Sequence, residues 1–256
     1  TTINDGGCTG VTWNGEALDY RDVTAYSIED LQAAVLSGVA RGWRVSSLFA
    51  HRPSGANELE LVVVMAADAE STLHIGKARV YGDHFPSLAT ACPQVHLFER
   101  EIAEQTGLIP EGHPWLNPVR FSGPVDAMRS GTDRRNSPPI GSADFYRVSG
   151  EEVHEVAVGP VHAGVIEPGH FRFQCHGEEV FHLEISLGYQ HRGIEEALLG
   201  GPRPITRHQI ETTAGDTTIG HTWAYCSNLE ALAETRVSAR AQVIRAVALE
   251  LERLAN

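Results

Sequence analysis

The pattern of apolar and polar positions in the first half of the chain predicts a small domain of one helix on a sheet. Ser27 is the expected N-cap of this helix, and the apolar face carries Leu31 and Val35. Gly42 ends the helical pattern. Three β-rich runs separated by polar turns follow: residues 43–51, 58–66 and 72–80. Because a helix buries its apolar face most simply against a sheet, we expect these runs to form an antiparallel sheet beneath it.

A second helical pattern covers residues 85–107. Gly107 stands where a C-terminal glycine cap is expected, because glycine adopts the left-handed conformation there without a steric penalty. Arg100 and Glu104 have the i, i+4 spacing of an ion pair, in the weaker orientation, on a different helix face from Phe98 and Ile102.

The second half of the chain follows a stretch without periodicity. Residues 123–150 are rich in Gly, Pro, Ser and Asp, which is typical of an interdomain linker. Alternating bursts over residues 153–187 then predict a small antiparallel sheet. Four helical patterns follow it: residues 194–199, 205–213, 217–233 and 238–254. The predicted fold class is therefore α+β, with domains at residues 1–122 and 151–256.

The last helical pattern carries an apolar stripe on one side, with Arg245 and Glu252 on the other. We expect this stripe to lie in the core of a helical bundle. Its members are Ile244, Val247, Leu251 and Leu254.

Ionisable side chains are concentrated where the second predicted sheet ends. Residues 188–196 read Gly-Tyr-Gln-His-Arg-Gly-Ile-Glu-Glu, so that His191, Arg192 and Glu195 surround a glycine. Such a corner is either a solvated capping network or part of a functional site, and both interpretations stay open.

Composition excludes several classes of function. The formal net charge of −13, from 33 acidic and 20 basic residues, argues against nucleic acid or an anionic membrane surface as the main partner. No apolar run reaches the roughly 20 residues of a membrane-spanning helix, and no signal peptide is visible. We expect a cytoplasmic protein that is peripheral on the inner face of the cell membrane through partner subunits. The chain lacks an initiator Met, so we expect a fragment trimmed at both ends.

The metal-binding residue types show no ligand motif. The four cysteines are widely spaced without a Cys-x-x-Cys, and the 13 histidines match no recognised ligand spacing. We expect reduced cysteines and no metal bound by this chain.

One ordered series of short motifs lies at the end of the first region: Glu-Arg-Glu at 99–101, Gly-Leu at 107–108, Gly-His-Pro at 112–114 and the basic Arg120. It resembles the signature of the 30 kDa (C-type) subunit of respiratory complex I. Gln-Thr at residues 105–106 departs from that family's usual pattern. The resemblance implies a docking domain without catalytic residues.

A second ordered series lies at 159–164 (Gly-Pro-Val-His-Ala-Gly), 167–171 (Glu-Pro-Gly-His-Phe), 177–178 (Gly-Glu) and 188–195. It resembles the start of the 49 kDa (D-type) subunit of complex I. The resemblance is greater to the large subunits of energy-converting nickel–iron (NiFe) hydrogenases of the formate hydrogenlyase type. In those large subunits a C-type domain is likewise fused ahead of a D-type domain.

The second resemblance implies roles for individual residues. His162 matches the histidine that faces a quinone head group, where an imidazole can donate a proton at neutral pH. Arg192 matches an arginine beside the 4Fe–4S cluster of the neighbouring small subunit. Glu195 matches a buried carboxylate in a proton path or in a pair with Arg192. For His191 two interpretations stay open: a role beside the cluster, and simple packing.

The nickel ligands of the hydrogenases are absent at the matching positions. Where that family has Cys-Gly-x-Cys, this chain has Ala214-Gly-Asp-Thr217, and soft thiolates cannot be replaced there by a methyl group or a hydroxyl. Cys226 lies more than two helical turns beyond Thr217. Asp216 and His221 are the remaining candidates for proton handling, beside the simpler interpretations of a helix-start charge and a core histidine.

Three functions remain compatible with the sequence. The first is a hydrogenase-like or NADH-quinone oxidoreductase-like large-subunit portion of a membrane-bound redox complex. It would support electron transfer from a small iron–sulfur subunit to a quinone-like acceptor or to ion pumping. The second is a genuine NiFe hydrogenase large subunit, and the third is a structural subunit without a redox role. The implied partners are the small 4Fe–4S subunit, other hydrophilic-arm subunits and the membrane arm.

Overall fold

The computed structural model describes residues 10–121, 144–161 and 167–256. The first domain contains a mixed sheet with strands β1 (Gly10–Trp13), β2 (Ala25–Tyr26), β3 (Arg44–His51), β4 (Leu59–Ala67) and β5 (Thr72–Val80). The antiparallel spatial order is β1–β5–β4–β3, so the three predicted β-rich runs are confirmed as neighbours. The short β2 pairs in parallel with β5 and was not predicted.

Helix α1 (Ile28–Ala40) lies on this sheet as predicted. Its first turn is capped by Ser27, whose hydroxyl oxygen accepts a hydrogen bond from the backbone N–H of Asp30 at 3.0 Å. Leu31 and Val35 pack into a core with Val63 of β4, which has no exposed surface. The alternation of β4 places every second side chain in this core.

The second helix of the first domain is shorter than the helical pattern suggested. Helix α2 covers His96–Thr106, and Gly107 ends it at φ +78° as predicted. The helical prediction was wrong for residues 85–88, because β6 (His84–Pro86) pairs in parallel with β7 (Ile109–Glu111). A proline disfavours helical backbone in the residue before it, which is consistent with the extended conformation here.

The second domain contains the predicted antiparallel sheet, made of β8 (Val153–Val161), β9 (Gly169–His176) and β10 (Glu179–Ser186). Its polar face is the covered one: Glu184 is 5% exposed and accepts a hydrogen bond from the backbone N–H of Tyr146. Leu183 on the other face is 43% exposed. Residues 144–150, at the end of the predicted linker, therefore lie on the polar side of this sheet. The rest of that linker lies outside the described residues.

The four predicted helices of the second domain are confirmed as α3 (Ile194–Ala197), α4 (Thr206–Glu211), α5 (Thr218–Leu232) and α6 (Ala239–Ala255). The expectation that the α6 stripe lies in a bundle core is wrong for this structure. Val247 is 55% exposed and Leu251 is 61% exposed. The opposite side of α6 faces α5, because Arg245 forms an ion pair at 2.6 Å with Glu230 of α5.

We expect Ser27→Ala to lower the free energy of unfolding by about 1 kcal/mol, since it removes the side-chain acceptor at the start of α1. Urea denaturation followed by circular dichroism measures the change. Ser37→Ala, an exposed position inside the same helix, is the matched control and should not destabilise the protein, because alanine has the higher helix propensity. Equal losses in both variants would contradict the capping role.

Candidate functional site

The turn that leads out of the second sheet lies directly against the first domain. Gly188 has φ +95°, and a Cβ atom at this position would lie 2.6 Å from the carbonyl oxygen of Val119. The backbone N–H of His191 closes the turn by donating to the carbonyl of Gly188 at 3.1 Å. Only glycine combines this backbone conformation with so close an approach.

Arg120 links the two domains through its side chain. One guanidinium nitrogen donates to the carboxylate of Glu101 on α2, and the other lies 2.9 Å from Glu195 on α3. Burial disfavours the charged form of Arg120. The hydrogen bond to Glu101 and the charges of Glu195 and Glu104 outweigh this effect, so the pKa of Arg120 is raised. The resemblance left Glu195 as a buried carboxylate either in a proton path or in a pair with Arg192. The structure places it 2.9 Å from Arg120, with 56% of its side chain exposed.

The backbone at Val119 and Arg120 is held by a second carboxylate of α2. Glu104 accepts hydrogen bonds from both backbone N–H groups, each at 3.0 Å. Arg100 is 6% exposed and donates to the carbonyls of Asn117 and Pro118. Arg100 and Glu104 thus each bind the segment after the helix, a use that their i, i+4 spacing did not predict.

Glu99, the first residue of the Glu-Arg-Glu motif, is also structural. It is 1% exposed and accepts from the hydroxyl of Ser87 at 2.5 Å and from the backbone N–H of Leu88 at 2.7 Å. His113 accepts from the backbone N–H of Trp115 and contacts the carbonyl of His96 through its other ring nitrogen. Glu99 and His113 thus hold the chain around α2, while Glu101 of the same motif binds Arg120, which contacts Glu195.

Arg192 reaches across to the end of α4. Its guanidinium donates to the carbonyl oxygens of Thr212 and Thr213, the latter at 3.1 Å. A cation is favourable at the end of a helix, where carbonyl groups lack intrahelical partners. Arg192 thereby lies beside the segment that begins at Ala214.

Asp216 lies within this segment, and His221 follows it in α5. Asp216 is exposed in a short 3-10 helix at Gly215–Thr217, and its backbone carbonyl accepts from the side chain of Asn256. His221 is half-buried in α5. His162, the expected quinone-facing residue, lies outside the described residues.

The sequence did not identify the role of Glu252. This residue of α6 accepts hydrogen bonds from the backbone N–H groups of Ile219 at 2.6 Å and Gly220 at 3.1 Å. Thr217, the N-cap residue of α5, provides no side-chain bond. A carboxylate from another helix thus accepts the hydrogen bonds of free N–H groups at the start of α5. Neither the capping of α5 by Glu252 nor the Arg120–Glu195 pair is indicated by a local sequence pattern.

No group of three or more His, Cys, Asp or Glu side chains in residues 10–121, 144–161 and 167–256 is arranged to hold a metal ion. Within the same ranges, no helix combines the length and apolar character that crossing a bilayer requires. That this chain binds no nickel stays a prediction.

Residues 25–127 match the family described as the 30 Kd subunit of respiratory-chain NADH dehydrogenase. This match confirms the resemblance drawn from the Glu-Arg-Glu and Gly-His-Pro motifs.

Similarity to individual proteins extends into the second domain. The chain is 33% identical to formate hydrogenlyase subunit 5 of Escherichia coli over 66% of this chain and 32% of the relative. It is 31% identical to hydrogenase-4 component G of Escherichia coli, over 78% of this chain and 36% of that protein. An NADH-quinone oxidoreductase subunit of Methylococcus capsulatus is 26% identical over 67% of this chain and 33% of its own length.

The chain spans about a third of the length of these curated relatives. By their names, the relatives are subunits or components of hydrogenases and of NADH-quinone oxidoreductases. The chain is thus homologous to subunits of both kinds of redox assembly.

We expect Glu252→Ala to destabilise the protein by roughly 1–2 kcal/mol, because two N–H groups at the start of α5 lose their acceptor. Urea denaturation gives the difference. Glu250→Ala, which removes an exposed carboxylate of the same helix, is the control and should change stability by less than about 0.5 kcal/mol. If both variants lose the same amount, the cap does not contribute.

We also expect His96 to make stability fall on mild acidification. Burial, together with the charges of Arg100 and His113, lowers the pKa of His96 from its ordinary value of 6.5. The unfolded chain then binds a proton more readily than the folded one, so stability is lost as the pH falls below 6.5 towards the lowered pKa. Urea midpoints between about pH 5 and 7.5 should have a smaller slope in His96→Gln, and an unchanged slope would contradict this assignment.

Proposed function

We propose that this chain is a hydrogenase-like or NADH-quinone oxidoreductase-like large-subunit portion of a membrane-bound redox complex. It supports the passage of electrons from the 4Fe–4S cluster of a small partner subunit to a quinone-like acceptor or to ion pumping. The observation that carries the proposal is the contact of Arg192 with Thr212 and Thr213. It brings the charged turn 188–196 to the segment that holds metal ligands in the hydrogenases.

The side chains have separate tasks in this proposal. Arg192, with His191 and Glu195 in the same turn, lies on the side of the partner's cluster. There a fixed positive charge favours the reduced state of the cluster. His162, Asp216 and His221 handle protons, since an imidazole or a carboxylate can exchange a proton near neutral pH. The docking surface around Arg120 holds this turn against the first domain.

The proposal assigns no nickel or iron to the chain. Ala214 and Thr217 offer no thiolate, and Cys226 lies within α5, nine residues beyond Thr217. The complex, including its small subunit and membrane arm, sits on the cytoplasmic face of the membrane, and this chain attaches through those partners.

A genuine NiFe hydrogenase is the second candidate, and the names of the two Escherichia coli relatives favour it. It requires thiolates from elsewhere to complete the ligand set. A structural subunit without a redox role is the third candidate. It is favoured by the use of Glu99, Arg100 and Glu104 in purely structural contacts.

Purification of the assembled complex from its native host separates these candidates. Elemental analysis should find iron from the partner's cluster and no stoichiometric nickel. Nickel at one atom per chain would contradict the proposal and support the hydrogenase.

In the same complex, Arg192→Ala should move the reduction potential of the partner's cluster to more negative values, since a positive charge that favours the reduced state is removed. A shift of roughly 20–60 mV corresponds to at most about a tenfold change in a one-electron equilibrium. Redox titration followed by electron paramagnetic resonance measures it. Arg207→Ala, an exposed arginine of α4 paired with Glu211, is the matched control and should leave the potential unchanged. An unchanged potential and turnover in Arg192→Ala would support the structural subunit instead.

A further inference from the structure

A series of contacts, joined through the backbone of the turn 188–196, runs from α2 to the segment at residues 212–217. Glu104 fixes the backbone of Val119 and Arg120 at 3.0 Å, and Glu101 fixes the guanidinium of Arg120. Every contact in this first part lies within the first domain. The side chain of Arg120 therefore leaves the first domain in one defined direction.

The series then crosses into the second domain at two points. The guanidinium of Arg120 lies 2.9 Å from Glu195, and the carbonyl of Val119 lies where a side chain of Gly188 would begin. These two points lie at opposite ends of the turn 188–196. The turn 188–196 is held at both of its ends by two adjacent residues, Val119 and Arg120, so it has little freedom to shift relative to them.

The last part of the series starts from the middle of the same turn. Arg192 binds the carbonyl oxygens of Thr212 and Thr213, and the N–H of Thr217 donates to the carbonyl of Ala214 at 3.1 Å. The guanidinium group is planar and rigid, so the positions of the two carbonyls depend on where the turn holds Arg192.

We infer that the first domain sets the position of segment 212–217 through the turn 188–196, and that Arg120 is the positioning residue at the junction. The coupling rests on the contacts above. The inference rests on the proposed function in one respect. It makes the first domain responsible for the geometry of segment 212–217, which faces the cofactor in that proposal. A lysine at position 120 would not replace Arg120, because a single ammonium group lacks the fork that engages two carboxylates at once.

Hydrogen–deuterium exchange of the 256-residue chain tests the coupling without any partner or cofactor. Gly188→Ala introduces a Cβ atom against the carbonyl of Val119 and should push the turn away from the first domain. Amides at residues 188–196 and also at 212–217 should then exchange at least about tenfold faster.

The chain offers a matched control for this substitution. Gly200 has φ +91°, close to the value at Gly188, but a Cβ atom there would meet nothing within 4 Å. Gly200→Ala therefore carries the same backbone strain without the interdomain clash. Faster exchange at 212–217 in Gly188→Ala and not in Gly200→Ala supports the coupling, and equal effects in the two variants overturn it.

A milder pair of variants guards against loss of folding in Gly188→Ala. Glu195→Gln removes the charge that Arg120 contacts and keeps the size of the side chain, while Glu250→Gln removes an exposed charge paired with Arg253 on α6. Glu195→Gln should raise exchange at 212–217 by at least about threefold relative to Glu250→Gln. Faster exchange confined to residues 188–196 would overturn the inference, since the turn would then move without the segment.

The redox complex provides a readout that a merely structural contact would not move. Arg120→Lys should shift the reduction potential of the partner's cluster in the same direction as Arg192→Ala, whereas Arg253→Lys at the surface of α6 should not. A shifted potential supports the coupling, and an unchanged one overturns the role of Arg120 at the cofactor side. If exchange responds as expected but Arg192→Ala leaves the potential unchanged, the coupling stands and the proposed redox function fails.

Discussion

The guanidinium group of Arg120, placed between Glu101 and Glu195, is the interaction on which the arrangement of the two domains depends. An arginine can serve two carboxylates at once because its donors form a planar fork. Burying part of a charged guanidinium costs free energy unless its N–H groups find acceptors. The carboxylates around Arg120 provide such acceptors. Glu104 and Arg100 then fix the backbone before Arg120, and the position of the guanidinium follows from theirs.

The second domain relies on a related device, in which charged side chains from elsewhere complete the ends of short helices. Arg192 binds carbonyls at the end of α4, Arg203 binds the carbonyl of Ala197 at the end of α3, and Glu252 binds amides at the start of α5. Helices of four and six residues, such as α3 and α4, are too short to be stable alone. Their conformation is therefore a property of the whole domain, so the geometry of the candidate site depends on residues far from it.

The elements that the sequence predicted correctly have local causes. Ser27 marks a helix end through its capping hydroxyl and Gly107 through its lack of a side chain, and the apolar run of β4 belongs to a largely buried strand. The missed elements have non-local causes. The strand β6 is extended because β7, more than twenty residues later, pairs with it.

The contacts of the candidate site were missed for the same reason. Arg120 and Glu195 both belong to sequence motifs, but their pairing joins positions 75 residues apart. No periodicity in the sequence indicates a contact over that distance. The side of α6 that packs against the rest of the domain was predicted wrongly. An apolar stripe usually faces its own domain, whereas here the polar side, with Arg245 and Glu252, contacts α5. The motif positions that resemble known families include residues of these non-local contacts, namely Glu101, Arg120 and Arg192.

The apolar surfaces of the second domain have a consequence for how the chain behaves in solution. The stripe on α6 and the face of the sheet around Leu183 are both exposed, while the net charge is −13. Because copies of the chain carry the same net charge, long-range repulsion opposes contact between these apolar surfaces. Salt shortens the reach of that repulsion to about 10 Å at 0.1 M, so colloidal behaviour becomes a function of ionic strength. Low ionic strength thus opposes association through these apolar surfaces, and high ionic strength removes that opposition.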